Sequence, residues 1–235
     1  MEINNQAPFG HCLSQVDRIL KKVNTAFEDV QAHILQGNIN GAYEAAFELE
    51  NHSEKLTLLT RELPAYTGHP RAKEMLEDVM LKDYPIKIGF TVDGWFCVMI
   101  PALLPKKEKG STDYIGDLLY LAMARFWRNR QPVRYTDCVL IFRHVYDRER
   151  PERSFRDHDN IELNKITDIV ALFVMPDDAP MQCRHYYCSV HGVENRTEIF
   201  VVPNNEFSQW LILENIYSEQ GEKLNEDMAE ISSEN

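Results

Sequence analysis

The sequence predicts an α+β fold, a mixed sheet with two packed helices preceded by an N-terminal helical hairpin. Three observations carry this. The first 82 residues show only helical periodicity, composition turns β-branched and aromatic after Pro85, and the segments that follow read β-β-α-β-α-β-β. Three parts result: a helical extension over 1–82, an α+β domain over 83–204, and a short helix with an acidic, disordered tail over 205–235.

Leu13, Val16, Leu20, Val23, Phe27, Val30 and Ile34 fall in steps of three and four, one stripe on a helix running from about 12 to 36. Gly37-Asn38-Ile39-Asn40-Gly41 breaks it. A second helix carries Ala42, Ala45, Ala46, Leu49, Leu56, Leu59 and Leu63 and is expected to stop at Pro64, and a third spans 71–81. Such stripes are packing faces, and no chemistry is legible in them.

Ile86 to Val92 and Trp95 to Ile100 flank Asp93-Gly94, which predicts a hairpin. Thr112-Asp113 caps a helix running to about Arg130, and Tyr135 to Tyr146 is a strand long enough to sit centrally. A helix is expected from Asn160 to about Val174, strands over 181–190 and 197–202, and a last helix over 207–217.

The net charge of −12 alone argues against nucleic acid. Its distribution alters that. Lys plus Arg against Asp plus Glu is 8 to 12 over 1–82, 16 to 17 over 83–204 and 1 to 8 over 205–235. Basic residues of the middle part cluster at Lys106, Lys107 and Lys109, at Arg125, Arg128, Arg130 and Arg134, and at Arg148, Arg150, Arg153 and Arg156. Five scattered cysteines fit reduced thiols, and neither a signal peptide nor a membrane span is legible, so a soluble cytoplasmic protein is expected. No phosphate-binding glycine loop or nucleophile elbow occurs.

The chemistry concentrates between Arg148 and Asp178. Asp157 and Asp159 stand two apart, so an extended backbone turns both carboxylates to one side. Hard anionic oxygens suit Mg²⁺ or Mn²⁺, and a metal so held activates water against a phosphodiester. Asp177 or Asp178 would add a third carboxylate. The competing account is structural: Asp159 and Glu162 form a capping box, and Asp177-Asp178 after Pro176 a turn. Cys183, His185, Cys188 and His191 invite a zinc reading, but on a strand Cys183 and Cys188 face opposite ways.

Ile100-Pro101, the 112–130 helix, the 135–146 strand, Arg156-Asp157-His158-Asp159-Asn160 and Asp177-Asp178 follow one another as in the RusA-like Holliday-junction resolvases, which residues from about 86 to 204 resemble. The resemblance implies a dimeric, Mg²⁺-dependent endodeoxyribonuclease of DNA recombination and repair. Its metal ligands would fall on Asp157, Asp159 and Asp178, with Arg148, Arg150, Arg153, Arg156 and the lysine loop on DNA. The family lysine, four residues after the second aspartate, is Leu163 here, leaving Lys165 as the stand-in, and its later helical aspartate resembles Asp168 one place late. Two functions follow: a structure-specific endonuclease acting on branched DNA, or a degenerate DNA- or protein-binding module without turnover. A homodimer is expected for either, and an unidentified protein partner for the N-terminal helices.

Overall fold

A computed structural model describes residues 6–105, 107, 112–149, 156–177 and 179–219. They divide into two units, one of Met1–Lys82 with Pro105–Tyr114, the other of Asp83–Leu104 with Ile115–Asn235.

In the first unit α1 (Gln6–Leu35) and α2 (Ile39–Tyr66) form a hairpin, and α3 (Ala72–Asp83) follows. Gly37 makes the turn at φ +68°, a left-handed conformation that costs glycine nothing. Asn38 caps α2 by accepting from the Gly41 amide at 3.0 Å. Pro64 does not end α2 as expected. It sits in the last turn, where the Thr67 amide still reaches its carbonyl. The buried row of α1 also differs from the predicted stripe, being Cys12, Ile19 and Ala26.

The second unit holds a five-stranded sheet in the order β1-β2-β5-β3-β4. β1 (Lys87–Phe90) and β2 (Phe96–Ile100) make the predicted hairpin, Phe90 opposite Phe96, with Gly94 at φ +85° in its turn. β5 (Arg196–Pro203) pairs antiparallel with β2 and with β3 (Cys138–Asp147). β4 (Cys183–Gly192) lies parallel to β3 at the edge, which requires a crossover, and α5 (Asn164–Val174) supplies it.

Strand alternation divides the core. Phe96, Val98 and Ile100 of β2, Leu140 and Phe142 of β3 and Ile199 and Val201 of β5 share one face. There Phe96 meets Phe126 and Trp127 of α4 (Asp113–Trp127) at ring centroid distances of 6.2 and 5.8 Å. The other face gathers Cys97, Met99, Val139, Ile141, Phe200 and Val202 around Trp95 and Trp210. Trp210 belongs to α6 (Phe207–Glu219) and is wholly buried, so the segment after 204 completes this core instead of trailing from it. The fold is therefore α+β, with a mixed sheet, as the sequence predicts. Among the described residues no helix is long and apolar enough to cross a membrane. Of residues 218–235, expected as a disordered tail, Ser218 and Glu219 belong to α6, and 220–235 lie outside the described residues.

Candidate carboxylate site

β3 delivers the chain to one end of the sheet. Tyr146 holds the returning loop there, its hydroxyl accepting from the Arg156 amide at 3.2 Å. The next residues do not continue as the extended strand that would turn Asp157 and Asp159 to one side. Asp157 is extended (φ −65°, ψ 137°), but His158–Asn160 close a single 3-10 turn, at about 120° per residue. Both aspartates are exposed, and among the described residues neither carboxylate takes a hydrogen bond or an ion pair. His158 between them points inward, bonding Ser189 at 2.8 Å and stacking on His144 at 6.0 Å and 28°.

The capping box between Asp159 and Glu162 is not formed. α5 begins at Asn164, with Leu163 as its N-cap, and Glu162 alone accepts the Asn164 amide at 3.0 Å. The helix starts four residues later than expected because Ile161 and Leu163, two apart, are both buried (0% and 7%). That is strand spacing, and Ile161 is extended (φ −92°, ψ 135°) before Leu163 (φ −114°, ψ −17°) turns the chain into the helix.

α5 then runs back along the sheet, and this decides where the remaining carboxylate lies. The Tyr135 amide bonds the Val174 carbonyl at 2.8 Å, so the end of α5 meets the approach to β3. Ala179, beside the start of β4, accepts from Gln182 and Cys183 at 2.8 and 3.0 Å. Asp177 between them lines an open cavity of about 610 Å³ with Arg134, Asp168, Leu172 and Met175. Arg134 caps the helix there, donating to the carbonyls of Leu172 at 3.0 Å and Met175 at 2.6 Å. Asp177 is thus separated from Asp157 and Asp159 by the length of α5, about 16 Å. These three aspartates do not converge on one cation. Asp178 lies outside the described residues, and among those described no three Asp, Glu, His or Cys side chains form a metal-holding group.

Lys165, expected as the stand-in lysine, is turned toward α4. Its Nζ lies 3.3 Å from the Asp117 carboxylate on α4, and its stem occupies the space a side chain at Gly116 would fill. Leu163, at the lysine position itself, is core. Leu163→Lys is expected to lower stability by about 2 kcal/mol or more without creating cleavage, because it exchanges buried apolar surface for a charge. Urea unfolding and a nuclease assay on one preparation check both parts.

Of the basic residues, Arg148 is exposed and Arg156 half-buried at the end of β3, while Lys107 is exposed in the first unit. Lys106, Lys109, Arg150 and Arg153 lie outside the described residues. Among the described residues Asp147, Glu149, Asp157 and Asp159 lie with Arg148, Arg156 and Arg196 at this end of the sheet. Two exposed carboxylates suit Mg²⁺, which keeps much of its water and shares substrate phosphate.

Three features escaped the sequence reading. Arg143 and Glu198 are a buried ion pair, 2.6 Å from Nε to Oε2, across β3 and β5. His144 is wholly buried, and among the described residues neither ring nitrogen has a hydrogen-bond partner. Cys138 and Cys183 are register partners on β3 and β4, and a hydrogen bond between the thiols lowers Cys183 and raises Cys138, with burial raising both. Partner strands are not adjacent in sequence, so no local motif announces these pairs. Cys188 faces away from Cys183, His185 and His191, as alternation predicts, so the four do not surround one zinc ion.

Over residues 4–228 the chain matches a family described as a family of unknown function, DUF6100, and it belongs to that family. No curated protein matches it.

Proposed function

We propose that the sheet unit of this DUF6100 chain is a RusA-like module that binds branched DNA and has lost turnover. The observation that carries the reading is the dispersal of the cleavage machinery. Asp157 and Asp159 stand at one end of α5 and Asp177 at the other, Lys165 is turned to Asp117, and the family lysine position is buried leucine. What persists is the part that meets phosphate. Asp157 and Asp159 would hold Mg²⁺ or Mn²⁺, which when bound offsets their charge and offers its open positions to phosphate oxygens. Arg148 and Arg156 would set the backbone in register, and Tyr146 fixes Arg156 through its amide.

Fluorescence anisotropy with a labelled four-way junction tests this, in Mg²⁺ and in EDTA. Binding that requires Mg²⁺, weakened about tenfold or more by Asp157→Asn with Asp159→Asn, is expected, with both DNA strands intact on a denaturing gel. The loss of one good charged contact is worth about that factor. Binding in neither condition removes the DNA reading.

The exposed carboxylates of Asp157 and Asp159, which take no hydrogen bond or ion pair among the described residues, favour a second reading, a Mg²⁺-dependent endonuclease of the Holliday-junction resolvase type whose metal completes its shell with water and substrate phosphate. Strand scission in the same tubes, abolished by Asp157→Asn, replaces the first reading with this one.

A further inference from the structure

The most regular apolar stripe in the sequence is one the fold leaves open. Leu13, Val16, Leu20, Val23, Phe27, Val30 and Ile34 advance along α1 by alternating steps of three and four, the spacing of a coiled-coil seam. The row buried in the hairpin is the adjacent one, Cys12, Ile19 and Ala26, and Cys12 Sγ reaches the Leu59 carbonyl of α2 at 3.9 Å. Leu13, Leu20, Phe27 and Ile34 remain 48%, 44%, 50% and 64% exposed, and the three valines are half-buried between the rows. Single exposed apolar residues are ordinary, whereas four large ones at a strict interval of seven form a continuous patch. Together the rows cover three positions in seven, the width of a helix that packs on two neighbours. α2 supplies one.

Charge along α1 indicates the other. Along the Leu13–Ile34 face, Asp17, Arg18, Lys21 and Lys22 give residues 13–23 a net charge of +2, and Glu28 and Asp29 give residues 24–34 −2. A second α1 laid antiparallel sets each basic half on an acidic one, whereas a parallel copy stacks like on like. Leucine-type residues in one column with β-branched valines in the next favour seams of more than two strands. Two hairpins supply four helices. A helix of 30 residues is about 45 Å long and about 10 Å across, so a two-helix face covers on the order of 900 Å², near the ~800 Å² per partner of a standard interface.

We propose that two copies of this chain associate through the Leu13–Leu20–Phe27–Ile34 face of α1, antiparallel, closing two hairpins into a four-helix bundle about a two-fold axis. The association is independent of what the sheet unit binds. A dimer that ignores DNA, or a monomer that binds it, would separate the two conclusions.

Light scattering on the full chain during size exclusion is expected to give twice the 27.4 kDa chain mass. Leu20→Glu with Phe27→Glu should return it to the monomer mass with helical circular dichroism unchanged, since both positions are exposed. Lys21→Glu with Lys22→Glu, and separately Glu28→Lys with Asp29→Lys, should each be monomeric, and mixing these two proteins should restore the dimer. Monomeric wild type at about 100 μM, far above the Kd expected of an interface this size, overturns the proposal, as does a dimer that survives Leu20→Glu with Phe27→Glu. Failure of the mixed proteins to recombine overturns the antiparallel arrangement.

Discussion

Glu198→Leu is expected to destabilise the protein by about 3 to 5 kcal/mol, the usual cost of removing one partner of a buried ion pair. Arg143 and Glu198 are 1% and 2% exposed and stand opposite each other on β3 and β5. The Arg143 guanidinium lies 5.0 Å over the Phe200 ring, inside the core that α6 closes, and Arg196 adds a second contact to Glu198 at 2.7 Å. Without Glu198 the buried Arg143 charge has lost its counter-ion, whereas Arg196, 22% exposed, can turn to water. Replacing both partners, Arg143→Met with Glu198→Leu, removes the desolvated charges together and should return stability to within about 1 kcal/mol of wild type. Urea unfolding midpoints decide the matter. A single Glu198→Leu variant as stable as wild type would mean that the pair contributes nothing.

The helices and strands were legible wherever one periodicity ruled a whole segment. Lys87–Phe90 and Phe96–Ile100 form their hairpin, and Cys138–Asp147 takes the central place its length predicts. Misreadings arose where two patterns overlap. Ile161 is extended, and buried Leu163 two places on leads into a helical run without a break, so the sequence pattern puts the helix start too early. In α1 the long residues announce a stripe, while the buried contacts fall to Cys12, Ile19 and Ala26, whose modest volumes let α2 approach closely. The carboxylates show a different limit. Spacing predicted the helix between Asp159 and Asp177, but the distance they keep follows from the parallel β3–β4 pairing, which sends the crossover the full height of the sheet. Pairing across strands likewise hid Arg143–Glu198 and Cys138–Cys183, because register is set by the whole sheet.

His144 makes acid the condition to which this end of the sheet is most sensitive. The ring is wholly buried beneath His158, and neither nitrogen has a hydrogen-bond partner among the described residues. Burial, and then the nearby His158 and Arg156, pull its pKa from 6.5 down to about 4. The unfolded chain therefore takes up this proton near pH 6.5 and the folded chain only near 4, so between those values the unfolded state holds more protons and stability falls as pH falls. The contribution is fully present above pH 6.5, and about 3 kcal/mol is gone by pH 4. His144→Leu removes the titrating group and fills the same buried space. Between pH 7 and 4.5 the wild type should lose about 2 kcal/mol more than this variant, after the acid response they share through their carboxylates is subtracted. Parallel pH dependences in urea unfolding would show that His144 is protonated as readily in the fold as outside it. A steeper loss in wild type would make the His144–His158 stack the point where acid first opens the loop that presents Asp157 and Asp159.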